Sequence, residues 1–108
     1  MAKIRPGPGG AQVAFNITTP TLIKAVGAAT DQYGGNGGVV FRVYINTAPS
    51  GGTGAVYDSA TVGGIGAANL IANFPGGGTI QVLEIIAPYY SGLVVDPGTG
   101  GVVSVSYE

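Results

Sequence analysis

The sequence has 108 residues, among them 21 Gly and 7 Pro, with no His, Cys or Trp. Those absences exclude thiol nucleophiles, disulfides, thiolate or imidazole metal sites, and any side chain that ordinarily titrates between about pH 5 and 8. Only 8% of the residues are charged and the formal net charge is -1, against about 25% charged residues in a typical soluble domain, so there is no basic stripe for nucleic acid.

Residues 1–10 read as an arm rather than an element. They hold Lys3 and Arg5 and then Pro6-Gly7-Pro8-Gly9-Gly10, a run that admits no regular structure, so an extended segment able to strap onto a neighbour is expected. The remainder, 11–108, reads as one domain. Gln12 to Thr18 alternates, and the pattern places Val13, Phe15 and Ile17 on the core side of a first strand, with Pro20 ending it. Thr21 to Val26 forms a second strand. Gly27 to Gly38 holds five glycines with Asp31, Gln32, Tyr33 and Asn36, which predicts a long exposed loop.

Val39 to Ile45 is a strong strand, with Val39, Phe41, Val43 and Ile45 predicted on one face and Val40, Arg42 and Tyr44 on the other. Short strands of four or five residues follow within Thr53 to Asp58 and Asn69 to Ala72; Ala67 to Ala72 also fits a single helical turn, but Gly66 and Pro75 leave too little length for a stable helix. Thr79 to Ala87 is the second strong strand, expected to stop at Pro88, with Val82 and Glu84 on one face and Leu83 and Ile85 on the other. Gly92 to Val95 and Gly101 to Tyr107, joined by Asp96-Pro97-Gly98-Thr99-Gly100, read as a hairpin.

Seven or eight short strands at this spacing, without crossover helices, predict an all-β antiparallel sandwich, jelly-roll or Ig-like, with Gly-rich loops. The composition agrees. Val, Ile and Thr total 31 residues against 4 Leu, a bias toward pleated strands.

The chemistry available to such a domain is narrow. The glycine clusters lack the Gly-Lys-Ser/Thr ending and the following helix of a phosphate loop. Asp31, Asp58, Asp96 and Glu108 read as loop, turn and terminal charges, and Glu84 as exposed or paired with Arg42 or Lys24. No catalytic, metal or cofactor-binding residue is therefore assigned, and a non-enzyme is expected. Tyr33, Tyr89 and Tyr90 stand near loops and, with Lys3 and Arg5, are the expected partner contacts. So few charges predict a surface buried against copies of the chain or another protein. No apolar run approaches the roughly 20 residues of a membrane span, and the N-terminus lacks the apolar core of a signal peptide. Synthesis in a cytoplasm and no membrane partner are expected.

Six segments carry a resemblance: Thr21 to Ala25, Gly54 to Ala60, Asn69 to Ala72, Gly92 to Val95, Pro97 to Gly100 and Val103-Ser104-Val105-Ser106-Tyr107. Together they resemble small virion structural proteins of tailed bacteriophages and prophages. The resemblance implies a virion structural protein made in a host bacterial cytoplasm; with the composition it points to a capsid decoration or auxiliary head protein on the virion surface, bound to the major capsid protein or neighbouring virion subunits, and the low charge and basic arm favour a homotrimer. It implies no catalytic residues. The alternative from the tyrosines is a host-surface glycan-binding module of a tail or fibre.

Overall fold

The computed structural model describes residues 12–26, 37–74, 76 and 81–108. Eight strands occur in chain order: β1 (Gln12–Ile17), β2 (Thr21–Ala25), β3 (Gly38–Thr47), β4 (Gly54–Asp58), β5 (Leu70–Phe74), β6 (Gln81–Tyr89), β7 (Gly92–Asp96) and β8 (Val102–Tyr107). Two 3₁₀ turns, Val62–Gly64 and Ala67–Asn69, precede β5. The strand expected at Asn69 to Ala72 is present from Leu70, and the helical turn set aside as too short for a stable helix occurs just before it as a 3₁₀ turn over Ala67–Asn69.

The strands form two antiparallel sheets of four, β1-β8-β3-β6 and β2-β7-β4-β5. The pairings explain the arrangement. β1 pairs with β8, β2 with β7, β3 with β6 and β4 with β5, as if one long hairpin had been folded across itself. Lateral pairs β3 with β8 and β4 with β7 then complete the sheets. This is the jelly-roll topology, so the expected sandwich is present and its strand order selects the jelly roll.

The core lies between the sheets. Val40, Val43 and Ile45 of β3, Val103 and Val105 of β8, and Val56, Phe74, Leu93 and Val95 of the facing sheet are almost wholly buried there. Each fully buried aliphatic side chain of this kind stabilises the fold by about 1.5–3 kcal/mol. Gly54 is fixed by the packing, since a Cβ there would lie 2.0 Å from the Phe74 ring.

Four local expectations are corrected. In β1, two residues, Phe15 and Asn16, stand opposite the single residue Ser104, because Ala14 pairs with Val105 and Ile17 with Val103. Asn16 takes φ +54 within this bulge, a conformation that Asn tolerates better than most residues. Ile17 is buried as expected, but Val13 and Phe15 face outward and Ala14 packs on the core. In β3 a register shift at Phe41 breaks the alternation, so Val40 joins Val43 and Ile45 inside.

Pro88 does not end the second strong strand. It lies within β6, paired opposite Val39, and is accommodated because β6 is an edge strand with one side free of ladder partners. Finally, β7 and β8 are not a hairpin, since they belong to different sheets. The connection between them turns with Gly98 at φ +80 and Gly100 at φ +78, and an Asp96 carboxylate oxygen accepts the Gly98 N–H at 2.9 Å. It is pinned to the β3–β4 connection by Ser50 N–H donating to Thr99 O at 2.8 Å.

Candidate functional site

Jelly-roll connectivity sorts the connections by end. Those between β1 and β2, β3 and β4, β5 and β6, and β7 and β8 lie at one end, and those between β2 and β3, β4 and β5, and β6 and β7 at the other. The start of β1 belongs to the second end, because Gln12 pairs with Tyr107, which in turn pairs with Val40 at the start of β3. Gly38 pairs with Tyr89, and Ala25 with Gly92, at that same end.

The consequence concerns every contact residue expected from the sequence. Gln12 is the first described residue after Lys3 and Arg5 in sequence, Val26 and Gly37 are the described residues flanking Tyr33 in sequence, and Tyr90 lies between β6 and β7. All three places are at this one end. Lys3, Arg5 and Tyr33 themselves lie outside the described residues.

The two adjacent tyrosines part company. Tyr90 is 65% exposed, whereas Tyr89 is completely buried. The Tyr89 hydroxyl donates to the Glu108 carbonyl at 2.7 Å, and the ring packs so closely on Gly38 that a Cβ there would come within 2.7 Å of the phenol oxygen. The expectation of an exposed Tyr89 contact is therefore corrected: it closes the core, and inward alternation along β6 puts it there.

Asp58 builds the turn that presents Tyr90. Its Oδ1 accepts the N–H groups of Tyr90 at 3.0 Å, Ser91 at 2.7 Å and Gly92 at 3.3 Å, and Oδ2 also accepts from Tyr90 at 3.0 Å. Converging backbone N–H groups on a carboxylate are charge-assisted hydrogen bonds, which fix a turn that otherwise has two residues and little packing.

Glu84 meets Arg42 across the β3–β6 ladder, with Oε2 at 3.2 Å from Nη2 and both side chains about half exposed. The Arg42 pKa is raised further above its ordinary value, first by a hydrogen bond with Tyr44 and then by the Glu84 charge. The expected pairing or exposure of Glu84 is present, as is the face it shares with Val82, which the structure turns outward. Asp58, Asp96 and Glu84 are thus each engaged locally, and among the described residues no cluster of three metal-ligating side chains exists. No described helix is long and apolar enough to cross a membrane.

At the same end, the Tyr107 hydroxyl donates to Gln12 Oε1 at 3.3 Å, and burial raises the Tyr107 pKa above its ordinary 10.0. The folded protein therefore keeps a proton that the unfolded chain releases, so this contribution is full below about pH 10 and is lost as pH rises through the folded value. Alkaline unfolding, followed by circular dichroism, is expected to be less steep in Tyr107→Phe than in the parent above pH 10.

A second feature was not legible beforehand. On the outer face of the β1-β8-β3-β6 sheet, β8 presents Ser104 between the bulge of β1 and Tyr44 of β3. Small side chains on the central strand and larger ones on its neighbours leave a groove of about 340 Å³, lined by Val13, Phe15, Asn16, Tyr44, Asn46 and Ser104. Beyond it, Val82 and Ile86 of the edge strand β6 are also more than half exposed. Ile86 is backbone-strained, with φ +50 in a β-branched residue, a conformation rarely kept without a reason elsewhere in the structure.

Comparison with known proteins finds no matching family model, no matching curated protein and no matching solved structure.

Proposed function

We propose that the chain is a non-enzymatic virion structural protein, a phage capsid decoration or auxiliary head protein that covers the shell lattice in many copies. The observation that carries the reading is an exposed surface poor in charge and rich in large apolar groups. Phe15, Val82, Ile86 and Tyr90 are all more than half exposed, in a chain with nine charged residues, 4 basic and 5 acidic. Surfaces of that kind are interaction surfaces more often than free ones.

Two contacts follow in this reading. The end that carries Tyr90 and the entry to β1 faces the shell, with Lys3 and Arg5 strapping onto the major capsid protein or a neighbouring subunit. The β6 edge, with Val82 and Ile86, meets the next copy in a homotrimer, and the protein resides on the capsid surface.

Co-sedimentation with undecorated shells tests the shell contact. The full chain is expected to saturate the shells, and a chain lacking residues 1–10 or carrying Tyr90→Ala is expected to bind at least tenfold more weakly, about 1.4 kcal/mol. Unchanged binding by both variants would refute it. A glycan module built on Tyr33, Tyr89 and Tyr90 is not favoured, because Tyr89 is inside the core.

A further inference from the structure

We infer that the groove on the outer face of the β1-β8-β3-β6 sheet is a binding site for an uncharged saccharide ring. The inference does not depend on the capsid reading, since it rests on a different surface.

Geometry comes first. Ser104 of β8 is the floor, Phe15 and Asn16 of the β1 bulge stand on one side, and Tyr44 and Asn46 of β3 on the other. Strands flanking a common neighbour are about 10 Å apart, and the two aromatic side chains line the groove from opposite sides of Ser104. The volume of about 340 Å³ lies at the small end of ligand sites, which run from about 300 to 1,000 Å³. Phe15 continues the outward side begun by Val13 and is 74% exposed, while the bulge returns Ile17 to the core.

Polar chemistry then selects the ligand. Ser104 is only 5% exposed. Its Oγ accepts the Asn16 N–H at 3.1 Å and an Asn46 Nδ2–H at 3.2 Å, which occupies both lone pairs and leaves its own proton to be donated. No described residue accepts that proton. The hydroxyl faces the groove, so an occupant that excludes water from it must itself supply the acceptor. A ligand hydroxyl oxygen would take the proton, and the Asn46 side-chain carbonyl, whose amide is already oriented by Ser104, would accept a hydrogen bond in return.

Other occupants fit less well. A purely apolar partner would leave the Ser104 proton unmet. An anion would find no cation in the lining, and Arg42 nearby is held by Glu84. Aromatic faces flanking a neutral donor and acceptor pair are suited to a pyranose, whose C–H face stacks while its hydroxyls bond.

The test is a two-dimensional amide NMR titration of the full chain with methyl glycosides of glucose, galactose, mannose, N-acetylglucosamine and N-acetylgalactosamine. At least one is expected to cause saturable, millimolar-range shifts confined to residues 13–16, 44–46 and 104. Phe15→Ala is expected to weaken that binding at least tenfold, Phe15→Trp to retain it, and Ser104→Ala to weaken it while the remaining spectrum stays dispersed. Three results would overturn the inference: no saturable shift at the groove with any of these sugars, equal binding by Phe15→Ala, or shifts at the same residues on raising protein concentration alone, which would place a second copy there.

Discussion

Replacing Tyr89 with alanine is expected to remove about 3–5 kcal/mol of stability, as for other large buried aromatic side chains, and so to consume much of the 5–15 kcal/mol available to a domain. The ring is completely buried where β6 ends. Its removal opens a cavity beneath Gly38 and leaves the Glu108 carbonyl with only the long 3.4 Å hydrogen bond from the Val39 N–H. Tyr89→Phe keeps the volume and loses one hydrogen bond, so a cost near 1 kcal/mol is expected. Tyr90→Ala, one residue on and exposed, is expected to stay within about 0.5 kcal/mol of the parent. Urea unfolding followed by tyrosine fluorescence separates the three. Equal midpoints for Tyr89→Ala and Tyr90→Ala would contradict the assignment of one to the core and the other to the surface.

The second large effect is expected at Asp58. Alanine there leaves the N–H groups of Tyr90, Ser91 and Gly92 without their carboxylate. Hydrogen bonds to a charged group contribute about 1.5–3 kcal/mol each where buried, but water reaches the Tyr90 and Ser91 donors, so the expected total is about 2–3 kcal/mol rather than the sum. That lowers the thermal midpoint by roughly 10–20 °C in a domain of this size. Asp58→Asn retains an acceptor oxygen and is expected to recover about half of the loss. Because the same turn presents Tyr90, Asp58→Ala is also expected to weaken shell binding at temperatures where the domain is still folded. Unaltered amide shifts at residues 90–92 in Asp58→Ala would show that the carboxylate does not organise the turn.

Much of the fold was legible because alternation and turn residues are local signals. The strands at Gln12–Ile17, Thr21–Ala25, Gly54–Asp58 and Gly92–Asp96 lie within a residue or so of where periodicity and glycine or proline punctuation put them. Bulges are what periodicity misses. One extra residue in a strand exchanges its two faces, and the bulge at Phe15 and Asn16 lets Ile17 point inward while Phe15 points out. Alternation read backward from Ile17 gave Phe15 and Val13 the wrong side.

Tyr89 was within reach of the sequence. Leu83, Ile85 and Ala87 pack toward the core, and continuing that set two residues further arrives at Tyr89. Treating Pro88 as a terminus hid the continuation, since proline ends a central strand but not an edge strand. The β7–β8 connection failed for another reason: turn chemistry reports that the chain reverses, not which sheet it enters. The groove has no local signal at all, because its three sides are separated by tens of residues and meet only through the β1-β8-β3 order.

In the proposed function the charge-poor surface is an assembly surface. Light scattering of the purified chain across a concentration series tests it most directly. A mass of three chains or more, held over that range and reduced by Ile86→Lys, is the predicted result. A single-chain mass at every concentration would contradict it, and would mean that the exposed apolar groups of β6 meet no second copy.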